Sequence, residues 1–270
     1  MSSIQNAGRL RKSRPYLKNF VLALLDIVAL WAWGVLMLRY WLKGQLSLLI
    51  HPNYFWLVIA TGVVLLFLAA LRMFQLLTQV RQRASGKRLP LPVVQHISLF
   101  PPGWSSALLI ATAILGLLVT PKVFTSQTAI QRGVTDAITM TRSQPQAFRS
   151  NSKPEERSLI EWIRTLNVYP EPDAYAGQKV KVQGFVVHPS DLSPQYLLIS
   201  RFVITCCAAD AYPVSLPVKL ATGKRDSYPP DTWLEIEGQM ITETLNEKRQ
   251  LTIAASSLKK IPEPANPYFY

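Results

Sequence analysis

Three apolar runs in the first 125 residues constrain this chain more than any other feature. Within those residues thirteen lysines and arginines accompany one acid, Asp26. The first run extends from about 20 to 42, behind a basic tail carrying Arg9, Arg11, Lys12, Arg14 and Lys18. A bilayer core takes about 20 apolar residues, so this run is long enough to cross. It exceeds the short core of a cleavable signal peptide, and no small-residue cleavage site follows it. It reads as a retained signal anchor. The second run, about 54–77, opens on the interfacial aromatics Tyr54 and Trp56. The third, about 104–120, is bounded by Pro101, Pro102 and Trp104 before it and by Pro121 and Lys122 after it. At that length it is near the lower limit for a span, its other reading being a buried core helix.

Sidedness follows from lysine and arginine in the short loops. The N-terminal tail holds five and the loop at about 78–103 holds Arg81, Arg83, Lys87 and Arg88. The loop at about 43–53 holds only Lys43, with Arg39 just inside the span. The tail and second loop are therefore expected in the cytoplasm. Three spans then put the remainder outside, as a multi-pass protein of the cell membrane. Residues 126–270 carry sixteen basic residues against fifteen acids. The overall charge of +13 is thus a topology signal and not the basic footprint of a nucleic-acid binder, and no nucleic-acid partner is expected.

A carboxylate inside a span is costly and usually has a partner. Asp26 and Arg72 fall at similar depth in the cytoplasmic half, which predicts an ion pair between them, structural in one reading and transport-related in another. On the third span Ala107, Ala111, Thr112 and Gly116 form a small-residue face that another helix can approach closely, either an internal span or one of another protein.

Beyond the spans, 122–151 is polar and reads as a spacer, with some helix near 129–140. Ser152-Lys-Pro-Glu155 has the pattern of a capping box, predicting a helix to about Leu166 with Leu159, Ile160, Trp162, Ile163 and Leu166 on its apolar stripe. From Gly177 the period changes to two. Strands are predicted at about 178–187, 195–205, 212–220, 232–240 and 248–258, with Gly184 and Gly238 as bulges that bend the sheet. The expected architecture is membrane α-helical, three transmembrane helices, followed by a small all-β, OB-like five-stranded barrel. Such barrels host many functions. No Ser/His/Asp arrangement, phosphate-binding loop or convincing carboxylate pair appears, so an enzyme is not expected.

Both cysteines, Cys206 and Cys207, are adjacent. Neighbours in a regular strand point to opposite faces, so joint action requires the chain to leave the strand there. Three readings stand open: small core residues, one per face; ligands for a soft or transition metal ion with Asp210 or His188; a strained vicinal disulfide or redox pair. Arg201 is expected beside Asp210, orienting or pairing with it, or else as a surface charge on an edge strand.

The stretches G-F-V-V (184–187), R-F-V-I-T-C-C-A-A-D-A (201–211), D-T-W-L-E-I-E-G (231–238) and I-P-E-P-A-N-P-Y-F-Y (261–270) resemble the YcgQ-type family of membrane proteins. The likeness covers nearly the whole plan and is most specific over 177–270. It implies three spans followed by a C-terminal domain of unknown function, and a role as subunit of a two-component permease complex, with a larger multi-span permease of the YraQ type as partner. It implies no particular substrate and no catalytic residue. Some members carry a histidine-rich loop between the second and third spans; here 78–103 holds only His96, which weighs against intracellular metal buffering. The expected function is therefore an accessory, non-enzymatic permease subunit acting through Cys206, Cys207, Asp210 and Arg201. The alternative is a stand-alone membrane-tethered metal-binding or thiol-redox protein.

Overall fold

A computed structural model describes residues 2–85, 101–133 and 153–270. The chain divides into two compact units, residues 1–47 with 52–121, and residues 48–51 with 122–270.

The N-terminal unit is helical: α1 (Ser2–Leu42), α2 (Phe55–Ala84) and α3 (Trp104–Leu118). Residues 19–42 and 52–84 are long and apolar enough to cross a membrane, whereas α3 has 15 residues and falls short of that length. α1 and α2 approach closely at Gly34 and Gly62. A Cβ on Gly34 would lie 3.0 Å from the Gly62 carbonyl oxygen and 2.8 Å from Leu66 Cγ. Small residues here serve the close approach of two helices. α1 holds α3 through polar bonds. Tyr40 Oη donates to the Gly116 carbonyl (2.5 Å), Arg39 Nη1 to that of Leu117 (3.1 Å), and Trp33 Nε1 to that of Leu109 (2.9 Å). Tyr40 and Arg39 thereby satisfy carbonyls in the last turn of α3, which have no partner within the helix.

One membrane-side expectation needs correction. Asp26 accepts a hydrogen bond from Ser106 Oγ on α3, while Arg72 is exposed, and the two form no ion pair. A neutral hydroxyl satisfies the carboxylate without burying a second charge. On α3 the buried small residues are Ser106 and Ala113. Gly116 packs on Leu36 and Tyr40, while Ala107, Ala111 and Thr112 are exposed.

The C-terminal unit begins earlier than its strands. Residues 122–133 are no spacer: Phe124 packs against Phe202 with its ring tilted by 51°, Ser126 and Ala129 are buried, and the short helix α4 (Ser126–Gln131) lies among them. The remainder of the expected linker lies outside the described residues. The entry helix α5 spans Leu159–Val168, and its capping box is Ser158 with Glu161, not Ser152 with Glu155. The segment Ser158-Leu-Ile-Glu161 also satisfies the S-x-x-E pattern, and Pro154–Glu156 forms only a single turn before it. The predicted stripe is correct: Leu159, Ile160, Trp162, Ile163 and Leu166 are buried in the main core.

Six strands follow: β1 (Lys179–Val187), β2 (Tyr196–Val203), β3 (Tyr212–Lys219), β4 (Trp233–Leu245), β5 (Lys248–Lys260) and β6 (Tyr268–Phe269). They form one mixed sheet in the order β1-β4-β5-β3-β2-β6, and β1 also pairs with β2. The sequence missed β6, which runs parallel to β2 through Phe202–Tyr268 and Val203–Phe269. All other neighbours are antiparallel except β3 and β5. Asn246 and Glu247 turn β4 into β5 with positive φ at both positions, the geometry of a two-residue hairpin loop. Gly238 marks a register shift against β5, as a bulge should. Gly184 stays in register with β4; it serves instead as a close approach, since a Cβ there would lie 2.5 Å from the Ser200 carbonyl oxygen. β1 alternates only over its first half. Phe185, Val186 and Val187 are all buried, because an aromatic layer of Phe124, Phe202 and Tyr268 covers the outer face there.

Candidate functional site

β2 ends at Val203, and the chain leaves the ladder before the cysteines. Cys206 sits in a bend, Cys207 makes a single bridge, and Ala208–Asp210 forms one helical turn. The condition for joint action is thus met. Cys206 Sγ and Cys207 Sγ are 3.6 Å apart, and a carboxylate oxygen of Asp210 and both sulfurs lie within 4.8 Å of one another. Cys206 is exposed and Cys207 half-exposed, so neither is a core residue.

The Asp210 carboxylate is locked in place. The Cys206 N–H donates to Oδ2 at 2.8 Å and the Cys207 N–H to Oδ1 at 3.2 Å. Desolvation pulls Asp210 upward, but the Cys206 thiol and N–H with the N–H groups of Cys207 and Thr205 outweigh it. They hold the carboxyl below its ordinary range. In return the hydrogen bond to Asp210, then the one to Cys207, pushes the Cys206 thiol up to about 12. A thiol so placed is protonated at neutral pH and is a poor attacking nucleophile. Asp210→Asn, made in a Cys207→Ser background, should therefore raise the rate of Cys206 alkylation by iodoacetamide at pH 8 about tenfold, the gain in thiolate being partly offset by lower intrinsic nucleophilicity. An unchanged rate would remove the carboxylate as the cause.

Two elements that the sequence did not single out hold this loop. Leu48–His51 belong to the C-terminal unit. There Ile50 bridges Cys207, the His51 N–H donates to the Cys206 carbonyl at 3.0 Å, and the Ala208 N–H to that of Leu49 at 2.7 Å. On the other side Arg132 Nη1 donates to the carbonyls of Ala208 and Ala211, its guanidinium 4.8 Å above the Phe124 ring. The one signal for the first was the β-prone run Leu48-Leu49-Ile50; Arg132 fell in the supposed spacer and gave none.

Two expected members are elsewhere. Arg201 does not reach Asp210. Its Nε and Nη2 donate to the carbonyls of Pro267 (3.3 Å) and Asn266 (2.5 Å), and its guanidinium lies 4.1 Å over Phe269 and 5.6 Å over Trp233. It is a clamp for the chain's end, where the sequence suggested either a charge partner or a surface cation. His188 follows β1 and precedes β2, whereas Cys206 lies past the far end of β2, an eight-residue strand of roughly 26 Å. Burial, then the Arg225 cation, holds His188 below its ordinary pKa. A cleft of about 270 Å³ between Glu155, Lys181, Gln183, Arg201, Glu235 and Phe269 has its lysine neutralised by Glu237 at 2.7 Å and Glu235 at 3.5 Å.

Residues 150–270 match the family model described as DUF1980 C-terminal domain, which agrees with the resemblance drawn from the sequence over the same part of the chain. No curated protein matches the chain.

Proposed function

We propose that this protein is a non-enzymatic accessory subunit of a membrane permease. Three spans anchor it with the N-terminus in the cytoplasm, and an OB-like five-stranded barrel stands outside. The observation that carries the topology is the pairing of Leu49–His51 with Cys206–Ala208. Residues 49–51 lie in the connection between the first two spans, so that connection and the β domain share one side of the bilayer. The second span leaves on the other side, near Arg81 and Arg83. The chain must cross again before residue 122, and Trp104–Leu118 is the apolar helix in that interval. Its 15 residues rise about 22 Å; flanking residues and local thinning of the bilayer make up the difference. The arginines and lysines of the tail and second loop favour the same arrangement.

Strand pairing supports the barrel. The ladder β1-β4-β5-β3-β2 returns to β1, with one parallel step, in keeping with a five-stranded Greek-key barrel. The permease role draws on the resemblance to the YcgQ-type family and on the three-span plan; three helices are too few to enclose a path alone. A membrane-impermeant maleimide applied to intact, reduced cells is expected to label the Cys206–Cys207 pair to the same extent as in lysed cells, and labelling only after lysis would overturn the topology. Extraction in mild detergent through a C-terminal tag should bring down a multi-span partner at about one to one; a lone protein would overturn the subunit role.

A second reading, a stand-alone membrane-tethered metal-binding protein, is favoured by the sulfur geometry. Two thiolates on one tetrahedral ion with metal–sulfur bonds of about 2.3 Å stand about 3.8 Å apart, close to the 3.6 Å found. A disulfide needs about 2.05 Å. The test of this reading is metal bound per purified chain and its loss on Cys206→Ser.

A further inference from the structure

We infer that His51 is the fourth ligand of this cluster. With Cys206, Cys207 and Asp210 it completes a tetrahedral site for a thiophilic divalent d10 cation of the zinc kind. The inference rests on the metal reading just given. Three groups converge on the loop, and their ligand atoms lie within 4.8 Å of one another. A structural zinc site takes four, drawn from cysteine, histidine and carboxylate. The register supplies the fourth. Ile50 stands opposite Cys207, so His51 stands opposite Cys206, and its N–H is already bonded to the Cys206 carbonyl at 3.0 Å. Residues joined by a backbone N–H to carbonyl bond have Cα atoms roughly 5–6 Å apart, within reach of an imidazole. The ring now lies edge-on to Tyr270 with centroids 5.4 Å apart. Turning it about its side-chain bonds exchanges that contact for a metal bond, with the backbone pairing kept.

The remaining features of the loop suit a cation. Two thiolates and a carboxylate present three negative charges to an ion of charge two. The Asp210 carboxylate is held by the N–H groups of Cys206 and Cys207, which is how outer hydrogen bonds orient a ligating carboxylate. Each of its oxygens keeps a lone pair for the ion. The cation would join the bridge between Leu49–His51 and the cysteine loop, turning two backbone hydrogen bonds into a coordinated clasp.

The test uses the full chain in mild detergent with its thiols reduced, titrated with cobalt(II) and then with zinc. Expected is one cobalt per chain, with sulfur-to-cobalt charge transfer and the intense visible bands of a tetrahedral ion, displaced by one zinc. His51→Ala should weaken zinc at least about 10–100-fold and shift the visible bands as water replaces imidazole. His51→Cys should restore the affinity and add charge-transfer intensity, a gain that a misfolded protein cannot give. If His51→Ala keeps the wild-type affinity and spectrum while Cys206→Ser loses the ion, the site stands and the role of His51 falls. If the wild-type chain takes up no cobalt or zinc, the metal reading itself falls.

Discussion

Trp162→Ala should cost the C-terminal unit about 3–5 kcal/mol, the range for deleting a large aromatic from a closed core. Trp162 has no exposed surface. It sits at the centre of the α5 stripe, meets Tyr175 edge-on with centroids 6.2 Å apart, and carries the Arg157 guanidinium 5.0 Å over its ring. Alanine leaves a cavity between α5 and the strands that the capped helix cannot collapse to fill. Trp162→Phe separates packing from polarity. The buried Nε1 has no partner among the described residues, and removing such a group recovers part of the lost area. Phenylalanine should therefore cost well under half as much as alanine. The measurement is thermal unfolding of the full chain in detergent, followed by tryptophan fluorescence and far-UV dichroism. Equal losses for the two variants would mean that the indole N–H is satisfied in solution.

The α5 stripe was legible because helical periodicity and burial are one signal read twice. The five main strands were legible for the same reason, within a few residues except at the end of β4. That strand runs five residues past the expected Met240, to Leu245, carried by the Asn246–Glu247 turn. What the sequence hid was every contact made across long separations by short segments. β6 is two residues long, and Leu48–His51 sits between two apolar helices where a loop is the default expectation. Neither has length enough to show a period. Arg201 and Asp210 were joined on proximity in sequence, but a regular strand carries Arg201 along one edge while the loop turns away from it. Arg201 answers instead to aromatics and carbonyls near the end of the chain. The cysteine pair was legible only as a condition, that the strand must end first, and it does.

Gly238→Ala should be the most damaging single methyl group in the protein, costing about 3 kcal/mol or more, at or beyond the usual range for overpacking. A Cβ there would lie 2.2 Å from the Ala254 carbonyl oxygen and about 3 Å from two further backbone atoms of β5. No rotamer relieves such a clash, because both partners are main chain. The residue also carries the register shift that bends β4 against β5, so moving the strands apart straightens the sheet where it must curve. Gly223→Ala is the control. Its φ of +85° puts strain on any side chain, yet nothing lies within 4 Å of the added methyl. Its cost should be the conformational one alone, about 1–2 kcal/mol. For a domain of this size each kcal/mol moves the melting temperature by about 3–5 °C, so the two variants should separate clearly. Because β2 and β3 carry the cysteine loop between them, Gly238→Ala should also weaken the metal binding proposed at 206–210, whereas Gly223→Ala should leave it unchanged. A Gly238→Ala protein that melts with the wild type would mean that β4 and β5 stand apart at this point in solution, and the return of the ladder to β1 would then have to be achieved by some other bend.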